Sequence, residues 1–347
     1  MRTSIFTSAL LIGVAFFGAS SSARAQNVVA NYEAPGSLLI YPIFDNTRGA
    51  LTLVTVTNTS PSTAIFAHFI YVNGATCLEF DRSHYLSPND TLTVRTGGPG
   101  GDNPNMTKGF LYVFAKQAVS PTQEGPFAVK FDHLIGQEWI LDGAGGDLFE
   151  LNTFTLKAGD AVTNELSNTD VSPANGERDL NGHEYNFLPD TIEIPRFFGQ
   201  FPNGRPSDLV LISLTGGSQF TTLANLLIYD NNENQFSAQV SWTCWTRQHL
   251  TDISAIFDNG ALALTAKASE TAGSGGVVCG WFSVNGSVAF SSAFQISDPA
   301  VLAVLLDSYN GAVPGDSQAG TPRTAALPFG EGENTNGRLL SHSLNGD

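Results

Sequence analysis

Phe236-Ser-Ala-Gln-Val-Ser-Trp-Thr-Cys-Trp245 carries the clearest periodicity in the chain. Phe236, Ala238, Val240, Trp242 and Cys244 alternate with Ser237, Gln239, Ser241 and Thr243. Alternation over this length sets one face into a core and the other towards water, the mark of a half-buried strand. Ala64-Ile-Phe-Ala-His-Phe-Ile-Tyr-Val-Asn-Gly74 reads the same way. A shift of 171 places Ala67 on Ala238, Phe69 on Val240 and Tyr71 on Trp242. The same shift carries Gly109-Phe-Leu-Tyr-Val113 onto Gly280-Trp-Phe-Ser-Val284. Two strand-like runs kept at equal spacing point to an internal duplication.

Composition agrees. Glycine (35 residues) and Phe (24) are abundant, and charged residues make up only 14%, which suits short strands joined by Gly, Asn and Pro turns. The expected fold is all-β: two tandem Ig-like antiparallel β-sandwich domains with one short C-terminal helix. The domains are placed at 27–155 and 205–310, separated by a linker or long loop at 156–204 and followed by a flexible tail at 311–347. The linker carries Tyr185, Phe187, Phe197, Phe198 and Phe201, so it is expected to pack across both domains, with an extended piece at 191–194. The helix is assigned to 298–309. Asp298 suits a cap, Pro299 the first turn and Gly311 the stop, and Val301, Leu302, Leu305 and Leu306 form a stripe.

The chain begins with Arg2, an apolar run from Ile5 to Phe17, and Ala23-Arg-Ala25 before Gln26. This pattern reads as a secretory signal peptide over 1–25, with cleavage near Ala25. No later stretch approaches the ~20 apolar residues of a membrane-spanning helix. The expected location is therefore the extracellular space, the periplasm or the cell surface, with bacterial export favoured. The formal net charge of −16 becomes −18 once Arg2 and Arg24 are removed. Such a chain is repelled by phosphate backbones, so nucleic acid is excluded as a partner. A protein or polysaccharide partner in the envelope or outside the cell fits better.

Three cysteines allow one disulfide. At the 171 shift Cys244 and Cys279 fall on Asn73 and Lys108, so a bridge present in one copy alone would pair Cys244 with Cys279. Its loop is worth roughly 3–4 kcal/mol on chain-entropy reasoning. Cys77 then remains as a buried or intermolecular thiol.

No Gly-x-Ser-x-Gly elbow, His-Glu-x-x-His pair or phosphate loop occurs, and the expectation is that the protein is not an enzyme. Two binding sites are nominated. Trp245, out of phase with inward Trp242 and Cys244, and its neighbour Arg247 form a candidate glycan platform. Asp230, Asn232 and Asn234 stand at alternate positions, as in a calcium loop, making Ca²⁺ a candidate cofactor. The loop lacks the usual glycine and closing glutamate, having Gln235 and Ser241 there. The leading functional expectation is an exported, non-enzymatic structural or interaction protein. The alternative is a carbohydrate-binding protein, with calcium assisting.

Overall fold

A computed structural model describes residues 34–102, 105–142, 147–159, 178–198, 207–215, 220–230, 232–257, 279–308, 323–326 and 328–339. Residues 1–25, read above as a signal peptide, lie outside them. The first half contains β1 (Leu38–Asp45), β2 (Leu51–Asn58), β3 (Ile65–Asn73), β4 (Glu79–Leu86), β5 (Thr91–Arg95) and β6 (Lys108–Ser120). It continues with β7 (Gln123–Ala128), β8 (Leu134–Asp142), β9 (Asp147–Asn152) and β10 (Phe154–Leu156). A short connecting strand, β11 (Arg178–Leu180), follows. The second half contains β12 (Thr191–Phe198), β13 (Asp208–Ser213), β14 (Thr221–Asp230), β15 (Gln235–Trp242) and β16 (Trp245–His249). A four-residue helix, α1 (Leu250–Ile253), precedes β17 (Cys279–Phe290), β18 (Gln295–Ser297), β19 (Val301–Ser308), β20 (Arg323–Ala326), β21 (Phe329–Glu331) and β22 (Gly337–Leu339).

The two halves repeat one ten-strand topology. In the first, a six-stranded sheet runs β10-β1-β6-β3-β4 with β7 on β6, and a four-stranded sheet runs β5-β2-β8-β9. In the second, the corresponding orders are β21-β12-β17-β14-β15 with β18 on β17, and β16-β13-β19-β20. Every strand pair is antiparallel. The local irregularities repeat too. The register of β1 on β6 slips between Tyr41 and Phe44, around Pro42, and that of β12 on β17 slips between Ile194 and Phe197, around Pro195. A proline cannot donate to a ladder, so it sits where the ladder is broken. Phe44 and Phe197 each stand opposite a glycine, Gly109 and Gly280. A Cβ on Gly109 would collide with the Val72 carbonyl, and one on Gly280 with the Tyr229 carbonyl, which explains glycine at both.

This repeat corrects the alignment drawn from sequence. The shift of 171 holds for β6 and β17, because Gly109 and Gly280 are equivalent. Ile65–Asn73 corresponds to β14, however, and Gln235–Trp242 to β4. Adjacent strands of one hairpin alternate alike, so periodicity alone cannot tell which of the two is the counterpart. The Ig strand order is not found either. Ig strands A and B share a sheet, whereas β1 and β2 lie in different sheets.

The four sheets stack as layers. In the first half Leu39, Tyr41, Phe69, Tyr71, Leu111 and Val113 of the six-stranded sheet pack on Val54, Val56 and Val94 of the four-stranded one. The other face of that six-stranded sheet, with Leu38, Ile40, Ile70, Tyr112 and Phe114, belongs to a second core that extends through β13 and β19 to Ile192, Leu226, Ile228 and Phe282. Burial states the order plainly. β1 and β13 are buried along their whole length, while β2 and β14 alternate. The six-stranded sheet of the first half and the four-stranded sheet of the second are thus inner layers, each covered on both faces.

Three expectations fall to this arrangement. The segment 298–309 contains strand β19 instead of a helix, paired with β13 and β20. Val301-Leu-Ala-Val-Leu-Leu306 is a continuous apolar run, and a strand buried on both faces shows no alternation to distinguish it from a buried helix. The segments assigned to linker and tail contribute strands: β12 is a central partner of β17 and β21, β20 edges the inner sheet, and β11 pairs with β22. Short polar segments with little apolar content can still be fixed by ladder hydrogen bonds when a sheet edge needs covering. Tyr185 and Leu188 of the connecting segment are buried in the core shared by both halves, as its aromatic content suggested.

The third correction is the disulfide. The bond joins Cys77 to Cys244, with Cα atoms 5.9 Å apart and 167 positions between them in sequence. Cys77 lies in the turn between β3 and β4, and Cys244 at the corner between β15 and β16. The bridge therefore connects the two halves, whereas the sequence argument paired cysteines within one. That argument treated each sandwich separately, and contact between inner sheets brings distant turns together.

Candidate functional site

The nominated glycan platform is part of the junction between halves. Trp245 packs against the shared core, and its indole N–H donates to the Pro42 carbonyl at 2.9 Å. Its ring lies so close to Gly74 that a Cβ there would clash. Arg247 is held by Asp208, donating through Nε at 2.7 Å, with Nη2 at 2.6 Å from the same oxygen. His249 meets the other oxygen of Asp208. Strand phase does not carry across to Trp245: β15 ends at Trp242, the chain turns a corner, and Trp245 opens β16 in the other sheet, where it packs on the same core as Trp242 and is covered by the first half.

The calcium candidate is a hydrogen-bonded turn. Asp230 Oδ1 accepts the backbone N–H groups of Asn232 and Asn234 at 2.8 and 2.9 Å, and Oδ2 accepts Asn234 Nδ2 at 2.9 Å. The alternate spacing of these residues follows from an Asx-type turn between β14 and β15. Among the described residues, no group of three or more His, Cys, Asp or Glu side chains is placed to hold a metal ion.

Other polar clusters have geometries that can be judged against catalysis. His68, Ser83 and Glu124 meet on the inner six-stranded sheet, but Ser83 Oγ and Glu124 Oε1 both approach the same ring nitrogen, Nδ1, at 2.7 and 3.1 Å. A nucleophile relay needs the hydroxyl and the carboxylate on opposite nitrogens. Burial alone would raise Glu124, but hydrogen bonds from His68 and Ser83, with the charge of Lys116, hold it at about 2. Asp298 is raised by burial and by the charge and hydrogen bond of Asp190. Carboxyl groups in direct hydrogen bond stand too close for glycoside hydrolysis, which needs roughly 5–9 Å between them. Glu138 is fully buried in the first sandwich, and burial raises its carboxyl well above the usual range.

A groove of about 370 Å³ lies on the first half's outer sheet, beside exposed Ile135, and a larger one on the outer face of the second half's six-stranded sheet. Three cross-strand pairs of β14 and β17 follow one another along it: Tyr229 opposite Trp281, Leu227 opposite Ser283, and Asn225 opposite Asn285. Tyr229 and Trp281 stack with centroids 4.7 Å apart and planes 12° from parallel. Trp281 is 38% exposed. On one side β15 adds Ser237 beside Leu227 and Gln239 beside Asn225; on the other, β12 adds Glu193 beside Ser283 and Thr191 beside Asn285. Thr191, Asn225, Leu227, Ser237, Gln239, Ser283 and Asn285 line an open groove of about 740 Å³, and the Tyr229–Trp281 stack stands one cross-strand pair beyond it along β14 and β17. Gln239 Nε2 donates to Asn225 Oδ1 at 2.8 Å. Asn285 Nδ2 donates to Asp190 O, Asp190 Oδ2 and Thr191 Oγ1 at 3.2–3.3 Å. The amides are therefore oriented by the protein.

The sequence contained the signal for this face. In Gly280-Trp-Phe-Ser-Val284, Phe282 and Val284 are inward, so Trp281 and Ser283 must point outward. The same phase argument that nominated Trp245 applies to Trp281. What sequence could not supply was which tryptophan faces another sheet and which faces solvent.

No protein-family model and no curated protein matches the chain. Among the described residues, no helix is long and apolar enough to cross a membrane.

Proposed function

We propose that this protein is an exported binding protein without catalytic activity, working in the envelope or outside the cell through the outer face formed by β12, β17, β14 and β15. One comparison carries the reading. The two six-stranded sheets have the same topology, but their equivalent faces have opposite character. In the first half that face presents Ile40, Ile70, Tyr112 and Phe114 and is buried against the second half. In the second half it presents Thr191, Asn225, Ser283 and Asn285 lining an open groove, with the Tyr229–Trp281 stack beyond its end.

An outward sheet face needs only polar side chains to be soluble, as Thr191, Ser237 and Glu193 are here. This one carries an aromatic stack and oriented amides, the residue types that contribute contact area and specific hydrogen bonds to a ligand. Export is supported by the leader-like pattern of residues 1–25 and by the Cys77–Cys244 bond, since disulfides persist in oxidising compartments. The non-enzymatic part of the reading draws on the His68 and Asp190–Asp298 geometries, neither of which suits the chemistry its residue types suggest.

Ser283→Arg tests this reading. Ser283 sits mid-groove beside Leu227 and Glu193, so an arginine fills the groove while leaving the inward core untouched. Wild type and variant are compared by surface plasmon resonance against immobilised peptide, neutral glycan and anionic glycan libraries, with melting temperature as a folding control. Loss of ligands in the variant at unchanged melting temperature is expected. Ligands that bind both proteins equally would move the working surface elsewhere.

A further inference from the structure

We propose that the groove between the Tyr229–Trp281 stack and the Thr191–Asn285–Asn225–Gln239 row binds a neutral oligosaccharide; this rests on the reading of that face as the working surface. Going from the aromatic pair to the amide row is a step of four residues along β14 and β17, about 14 Å at ~3.4 Å per residue. The amide row itself crosses four strands, three gaps of ~4.8 Å, again about 14 Å. Between them the floor is made of Ser283, Ser237 and Leu227, side chains small enough to leave the depression open.

These dimensions and chemistries match a short chain of sugar rings. A pyranose has an apolar C–H face, which packs on an aromatic side chain, and a rim of hydroxyls that both donate and accept. The row supplies both functions. With Gln239 Nε2 and Asn225 Oδ1 used on each other, Asn225 Nδ2 remains as a donor and Gln239 Oε1 as an acceptor. Asn285 is anchored through Nδ2 by Asp190 and Thr191, which leaves its Oδ1 to accept. Preset amides lose little freedom on binding, which favours weak, multi-point recognition of hydroxyls.

Charge selects within carbohydrates. Glu193 stands beside Ser283, and Glu331 is paired with Thr191 at the groove's edge. With a formal net charge of −16, these carboxylates disfavour uronate or sulfated chains. A partner peptide would more naturally add to a sheet edge by backbone pairing, but the groove lies on a sheet face whose four lining strands have their central ladders paired to each other.

The test is isothermal titration of the purified protein with neutral β-1,4- and β-1,3-linked glucans, xylan and mannan oligosaccharides, with polygalacturonate as the anionic control. Expected is binding of at least one neutral series, weakened about tenfold or more in Trp281→Ala and in Tyr229→Ala, abolished in Ser283→Arg, and unaffected in Trp245→Phe. Melting curves establish that each variant is folded; Asn225→Ala with Gln239→Ala provides a second, milder reduction. Neutral-glycan binding that survives Trp281→Ala unchanged overturns the site. Binding of polygalacturonate or of a peptide alone, sensitive to Ser283→Arg, overturns the sugar assignment while keeping the face as the working surface. No Ser283→Arg-sensitive ligand in any class removes both.

Discussion

Glu138→Gln gives a direct measure of how the first sandwich tolerates a charge. Glu138 is on β8, with no exposed surface, on the side of the strand that faces the packed interior near Tyr41. The Ile43 amide gives its carboxyl slight support, but neither oxygen has a hydrogen bond of normal geometry. Burial, the dominant cause, raises the group well above the ordinary glutamate range, so the folded protein binds this proton more tightly than the unfolded chain, which ionises near pH ~4.3. For a group with a raised folded pKa, the contribution to stability is intact below the unfolded value and is lost as pH rises towards the folded one. Where the folded state binds one more proton than the unfolded chain, unfolding free energy drops by up to about 1.4 kcal/mol per pH unit. Glutamine copies the neutral acid in shape and cannot ionise. Urea unfolding of wild type and Glu138→Gln at pH 4.5, 5.5 and 6.5 should give stabilities that diverge, the variant gaining relative to wild type as pH rises, by at most that slope. A difference that stays flat over the three pH values would mean that Glu138 is ionised or hydrated in the folded protein, and the burial argument would be wrong.

Three further outcomes follow from the packing. Removing the bridge in Cys77→Ala with Cys244→Ala should destabilise by up to about 5 kcal/mol, the chain-entropy value for a separation of 167 residues; non-reducing peptide mapping that places Cys279 in the bond would contradict the connection between halves. Gly109→Ala and Gly280→Ala should each lower stability by about 1–3 kcal/mol, since each added Cβ meets a backbone carbonyl at the equivalent bulge; a loss in only one would show that the two bulges are not equivalent in packing. Trp245→Ala should cost about 2–4 kcal/mol in denaturant unfolding, from lost contact at the junction and an unpaired Pro42 carbonyl, while leaving ligand retention on the groove intact.

Much of the architecture was written in local patterns. Alternation over 236–242 identified a strand because a half-buried strand must alternate, and the glycines at 109 and 280 marked equivalent positions because backbone approach excludes a side chain there. The repeat was legible for the same reason. Local pattern failed wherever burial came from two sides. Val301–Leu306 lacks alternation because the strand it forms is covered on both faces, and so it resembled the apolar stripe of a helix. The segment after 311 contains few apolar residues, yet its strands β20, β21 and β22 are fixed by ladder hydrogen bonds to partners that exist only once the sheets have formed.

The candidate site shows the same division. Phase along a strand tells which residues leave its core, and it marks Trp281 as outward on β17; it failed for Trp245, because a corner after Trp242 puts the two tryptophans on strands of different sheets. The chain order holds no information on which outward face the other half will cover. That depended on packing the six-stranded sheet of the first half against the four-stranded sheet of the second, which buried Trp245 beside Pro42, drew Cys77 to Cys244 and left Tyr229 and Trp281 facing water. Strand periodicity is a property of neighbours in sequence. The pairing of turns and faces from opposite halves is a property of the assembled layers, and the groove is what those layers leave open.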